Sequence, residues 1–149
     1  MRTLLAMAVC AALANASLPA GAQSKSQGET PNPPHVALPR LAQAPPLTAD
    51  ADLSAWEGAL KVSDYGMSMP DDKGENRWPT TTYLAWGPDG LYAAFVAEDP
   101  HPELVRGFRH KRDDFSGDQD FVGLDVDPTG KGQSCIRLLV TPLGGQFDA

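Results

Sequence analysis

Short runs of apolar and β-branched residues alternate with turn-forming clusters along the second half of this 149-residue chain. Behind Pro79 comes Thr80-Thr81-Thr82-Tyr83-Leu84-Ala85-Trp86, the composition of a pleated, half-buried strand. In the next segment, Gly87-Pro88-Asp89-Gly90, proline presets φ and glycine accepts positive φ, so it reads as a turn. Leu91 to Ala97 is a second run, and the two together predict a hairpin. Phe121 to Val126 predicts a third strand, with Val122, Leu124 and Val126 on one face and Gly123 and Asp125 on the other. Asp127 to Gly132 predicts a turn. Ser134 to Thr141 predicts a fourth strand, with Ile136, Leu138 and Val140 sharing a face. Pro142 to Gly145 turns again, and Gln146-Phe147-Asp148 begins a fifth strand. Strands this short, separated by Gly/Pro turns, predict an all-β domain, an antiparallel sandwich or barrel.

The first residues follow a different pattern. Arg2 precedes an apolar run from Leu4 to Leu13, and small residues Ala20 and Ala22 flank Gly21. A charged start, a short apolar stretch and an A-x-A-like site predict a cleavable export signal over residues 1–22. The run is shorter than the roughly 20 residues a membrane-spanning helix needs. Residues 23–46 carry Pro31, Pro33, Pro34, Pro39, Pro45 and Pro46 among Ser, Gln and Gly, with no apolar periodicity. They predict a disordered linker, because too little apolar surface is present to offset ordering entropy. Residues 47–149 then form one small domain. The last strand is only starting where the chain stops, so the domain reads as truncated at its C-terminus: a sheet cut there keeps an unpaired edge.

The formal net charge is −7. No basic cluster beyond Arg106 to Arg112 offsets it, and acids follow that segment directly. Nucleic-acid binding needs a net basic face, so it is set aside. Beyond the leader the one cysteine is Cys135; it cannot form an internal disulfide and reads as a small core side chain. His101 and His110 lack zinc-ligand spacing, no serine nucleophile elbow is present, and nothing holds Asp113 and Asp125 across a cleft as a glycosidase pair. The chain reads as non-catalytic, at most an accessory domain of a glycoside hydrolase.

Five blocks, in order, resemble family 9-like carbohydrate-binding modules. These are Asp50-Ala51-Asp52-Leu53-Ser54-Ala55-Trp56, Trp86 to Phe95, Glu98-Asp99-Pro100-His101-Pro102, the stretch Arg112-Asp113-Asp114 through Asp118-Gln119-Asp120 to Gly123-Leu124-Asp125, and Val140 to Asp148. Ala51 stands where the family's opening motif has Gly, and Thr141 where its closing motif has Asn. The match is nearest to the N-terminal module of Gram-negative envelope proteins, in which the module precedes an outer-membrane barrel. The resemblance implies a jelly-roll-like β-sandwich that binds sugar without chemistry of its own. It also implies an exported protein: periplasmic, outer membrane-associated or secreted, with an envelope partner as the rival role.

Sugar sites stack aromatic faces on pyranose rings and ring them with polar groups. Trp56, beside Leu53 and Leu60, reads as a core anchor. Trp78 sits in a polar loop and reads as a ligand platform, with Arg77 and Asn76 as hydroxyl partners. Trp86 ends a strand and carries both readings, core and ligand contact. Family modules clamp a terminal sugar between two tryptophans, and the second would lie beyond Ala149. Asp113, Asp118, Asp120 and Asp125 form an acidic stretch with Asp114 and Asp127. Hard oxygen donors suit a structural calcium ion, but the stretch lacks EF-hand spacing, and aspartates that cap solvated turns are the other reading.

Overall fold

The computed structural model describes residues 2–9, 35–48, 52–67, 74–75, 78–114 and 117–149. Nine strands are described: β1 (Arg2–Val9), β2 (Leu60–Val62), β3 (Gly66–Met67), β4 (Gly74–Glu75), β5 (Thr80–Gly87), β6 (Gly90–Glu98), β7 (Val122–Val126), β8 (Ile136–Val140) and β9 (Gln146–Asp148). They form a four-stranded sheet in the order β1-β6-β5-β2, a three-stranded sheet β7-β8-β9, and a two-stranded ribbon β3-β4. Every strand pair is antiparallel. The helical pieces among the described residues are two 3₁₀ turns, Leu53–Trp56 and Pro102–Leu104. The all-β expectation holds.

The predicted hairpin is β5-β6. Its register runs from Thr80↔Ala97 to Gly87↔Gly90, leaving Pro88 and Asp89 as the turn. Gly90 sits at φ 141°, a conformation side chains rarely adopt. Gly87 is required for space: a β-carbon there would lie 2.7 Å from the Tyr92 ring. The period-2 pleat then gives the hairpin two faces. Thr81, Tyr83 and Ala85 share one face with their partners Val96, Ala94 and Tyr92; Thr80, Thr82, Leu84 and Trp86 share the other with Ala97, Phe95, Ala93 and Leu91.

The first face carries the core. Trp56, Tyr92 and Ala94 form a buried cluster, with Leu53, Ala59 and Tyr83 packed against it. The opening motif explains how Trp56 arrives there. Asp52 accepts from Ser54 N at 2.9 Å and from Ser54 Oγ at 2.7 Å. It thereby caps the 3₁₀ turn, in the manner of an Asx turn, and the turn delivers the indole to the sheet. The Trp56 and Tyr83 rings tilt at 57° with centroids 6.5 Å apart. Lys61, one strand over, lies 5.4 Å above the Tyr83 ring. Residues 92–96 are all buried, as expected of a strand covered on both faces.

Several elements were not predicted. β2, β3 and β4 are two or three residues long, too short for periodicity to register. β1 occupies part of the expected leader. Part of the expected linker is also ordered: Trp86 N donates to Pro39 O at 3.0 Å and Leu41 N to Trp86 O at 2.8 Å. Residues 39–41 therefore run along the end of β5, and Leu41 is buried. Residues 10–34 lie outside the described residues, so the leader's cleavage site and the first half of the linker are among the segments not described. Cys135 is a correction. It is exposed, because it lies in the loop just before β8 and never enters the pleat that would bury it.

Trp56 generates a stability prediction. Trp56→Ala costs about 3–5 kcal/mol, the range for emptying a buried aromatic site. Trp56→Phe costs much less. The buried Nε1 of Trp56 has no hydrogen-bond partner, so phenylalanine removes an orphaned donor along with some volume. Urea melts of the three proteins check this, and equal losses for Ala and Phe would refute it.

Candidate functional site

The second face of the β5-β6 hairpin opens at its far end into a cavity of about 290 Å³. Phe95, Thr80 and Ala97 line it from the hairpin, Trp78 from the approach to β5, and Phe121 and Val122 from the start of β7. Glu98, Asp99 and Asp120 add acidic character, and Val105 and Pro142 complete the wall. Phe95 is buried, whereas Trp78 is 43% and Phe121 49% exposed. Two aromatic rings thus stand at the mouth of a cavity with an apolar interior, the usual build of a small-ligand site.

The acidic residues are held by backbone. Asp99 accepts from His101 N at 2.7 Å. Asp120 accepts through Oδ2 from Arg106 N at 2.7 Å, and its own N–H donates to Arg106 O at 2.9 Å. This two-way pairing ties segment 106–110 to the entry of β7. Next to it, Gln119 is buried and its amide meets His110 Nε2 at about 3 Å. Gly145 is needed opposite: a β-carbon there would fall 2.9 Å from His110 Cε1.

Of the expected ligand residues, Trp78 lies at this cavity, and Asn76 and Arg77 lie outside the described residues. Trp86 does not line it. Its indole is 46% exposed, so it is not a core residue either. Nε1 donates to Leu38 O at 3.1 Å and the Arg40 guanidinium sits 5.1 Å from the ring; Trp86 holds the 38–41 segment in place. On the same face of β5, the Tyr65 hydroxyl donates to Thr82 Oγ1.

The calcium set Asp113, Asp118, Asp120 and Asp125 is not brought together. Asp125 accepts a two-pronged pair of bonds from Arg137, 2.8 Å from Nε and 2.7 Å from Nη2. That cross-strand bond holds its carboxyl below the usual range. Asp113 accepts from Asp148 N at 3.1 Å on the β9 edge, and Asp120 faces the cavity. Among the described residues no three His, Cys, Asp or Glu side chains are placed to hold a metal ion. Their closeness in sequence is undone by the pleat and by separate partners for each. Asp127 follows the turn-capping reading. It accepts from Thr129 Oγ1 and N at 2.7 Å, from Gly130 N at 3.0 Å and from Gly132 N. The Thr129 hydroxyl and the loop N–H groups lower its pKa to about 2.

The cavity also includes residues that site reasoning passed over. Glu98 and Asp99 were noticed only as part of a motif block. Phe121 carried a usable signal: it has the parity of Gly123 and Asp125, the polar face of its strand, where a large aromatic ring is out of place. No family model matches this chain, and neither does any curated protein or solved structure.

Two predictions follow from these carboxylates. At matched ionic strength, millimolar Ca²⁺ produces no rise in melting temperature that depends on Asp113, Asp118, Asp120 or Asp125, since these side chains do not converge among the described residues; a rise abolished by Asp120→Ala would show that they do converge. The second concerns Asp127, whose folded-state pKa is depressed from the ordinary 3.8. Its stabilisation is complete above about pH 4 and is lost as pH falls through about 2. The stability gap between wild type and Asp127→Ala in denaturant melts therefore narrows with acidification, and a constant gap would place the loop's stability elsewhere.

Proposed function

We propose that this chain is a non-catalytic carbohydrate-binding module, a β-sandwich of the family 9-like type, and that the cavity under Trp78 is its sugar site. The observation that carries the reading is an exposed indole at the mouth of a cavity whose rim offers carboxylate acceptors. An aromatic face packs against the C–H face of a pyranose while acceptors bond its hydroxyls. The five sequence blocks support the same reading independently, and so does the opening motif's role in seating Trp56. Phe121, also at the mouth, supplies a second aromatic surface where family modules use a second tryptophan.

Export belongs to this proposal. Arg2, the apolar run after it and the Ala20–Ala22 site support a periplasmic, outer membrane-associated or secreted protein. A second reading, an interaction domain for an envelope partner, draws on Leu104, Phe108 and Leu143, which are 68%, 52% and 53% exposed. Leu143 lies beside Gly107, next in sequence to Phe108, so Leu143 and Phe108 belong to neighbouring segments.

Isothermal calorimetry of the purified chain against a panel of mono- and oligosaccharides tests the sugar reading. At least one sugar binds, and Trp78→Ala weakens it by about tenfold or more while Trp86→Ala does not. A folded chain that binds none of the panel would overturn the reading.

A further inference from the structure

The residues around the cavity differ in charge from what a neutral sugar requires. Three of them are acidic, Glu98, Asp99 and Asp120, and none of the described lining residues is Lys, Arg or His. Asp99 and Asp120 each spend one carboxylate oxygen on a backbone N–H, which fixes the side chain and leaves the other oxygen for a ligand. Trp78 and Phe121 add ring faces that attract cations. A cleft lined by one sign of charge with apolar walls focuses its field and concentrates ligands of the opposite sign. It disfavours uronic acids and phosphorylated sugars for the same reason.

Resting on the sugar reading above, we propose that the cavity selects an amine-bearing sugar, a 2-amino-2-deoxyhexose with a free ammonium group, over its N-acetylated or neutral counterparts. The ammonium donates to the Asp99 and Asp120 carboxylates, a charge-assisted pairing, while the ring face lies on Trp78. A volume of about 290 Å³ is at the small end for ligand pockets, so one terminal sugar ring is bound and the rest of an oligomer remains in solvent. Acetylation removes the charge and adds bulk at the same nitrogen.

The test is calorimetry of the full chain with four probes at low and high salt: a glucosamine oligomer, the matching N-acetylglucosamine oligomer, a glucose oligomer, and ethanolamine as an amine without a sugar ring. An exposed ion pair contributes a few-fold in affinity, so with pairs to both Asp99 and Asp120 the glucosamine oligomer binds about tenfold tighter than the acetylated and neutral ones. That advantage shrinks with salt, and disappears at alkaline pH as the amine loses its proton. Asp120→Asn and Asp99→Asn each keep an acceptor for the backbone N–H, and each reduces the ratio between the amine and acetylated ligands; circular dichroism confirms that they fold, and either one suffices. Equal or tighter binding of the acetylated or neutral oligomer overturns the amine preference and leaves the sugar reading standing. Ethanolamine binding as tightly as the glucosamine oligomer overturns both, as does no binding at all.

Discussion

The β5-β6 hairpin fixes where everything else can go. Its register is set at the turn, where Gly87 must lack a β-carbon to admit the Tyr92 ring and Gly90 takes a positive φ. Because side chains alternate, a slip of one residue would exchange the two faces completely. Tyr83, Ala94 and Tyr92 would leave Trp56, and Thr80, Phe95 and Ala97 would leave the cavity. The core and the candidate site are therefore opposite sides of one pleat, and a single turn sets both.

The second sheet is held by polar contacts to a greater degree. Along β7-β8 the face of Val122, Leu124 and Val126 opposes Val140, Leu138 and Ile136. Of these only Val140 is fully buried. Directly paired charges assist: Asp125 and Arg137 face one another in register and bond through two nitrogens, the favourable cross-strand arrangement. The outer edge of β9 is occupied by the 112–113 turn. Asp113 N donates to Gln146 O at 3.0 Å, Asp148 N donates back to Asp113, and Arg112 bonds the Asp148 carboxylate. An edge that would otherwise be open to other strands is thus covered by its own chain. Of the aspartates that suggested a metal site, Asp113 staples this edge and Asp125 pairs across the strands instead.

Legibility in the sequence followed length and repetition. The hairpin, β7, β8 and the start of β9 were all readable because each carries at least one clear turn or an alternating run. Predicted and observed ends differ by a residue or two, as at Phe121, which precedes β7, and Ser134, which precedes β8. Trp56 and Trp78 were placed by their neighbours: one between leucines, one in a polar loop. The core reading of Trp86 fails because strand composition does not say what lies beyond the strand. Its partners, Leu38 and Arg40, are more than forty positions away in a proline-rich stretch with no strand-like pattern. The cavity was legible only in part, since it joins the end of β6 to the start of β7 across a long connection. No local pattern encodes that meeting.

Residues 2–9 carry two incompatible instructions. Their sequence resembles the charged start and apolar run of an export signal; in the fold they are β1, paired along β6 from Val9↔Leu91 to Arg2↔Glu98. The physical reason is that a short, unbroken apolar run meets the needs of a buried strand as well as those of a leader. The pairing matters for the site because its far end lies against Ala97 and Glu98, two residues of the cavity wall. Removal of residues 1–22, which the export proposal entails, would expose the backbone groups of β6 along that edge. Buried N–H and C=O groups do not stay unpaired without cost. They would pair with water or with another strand.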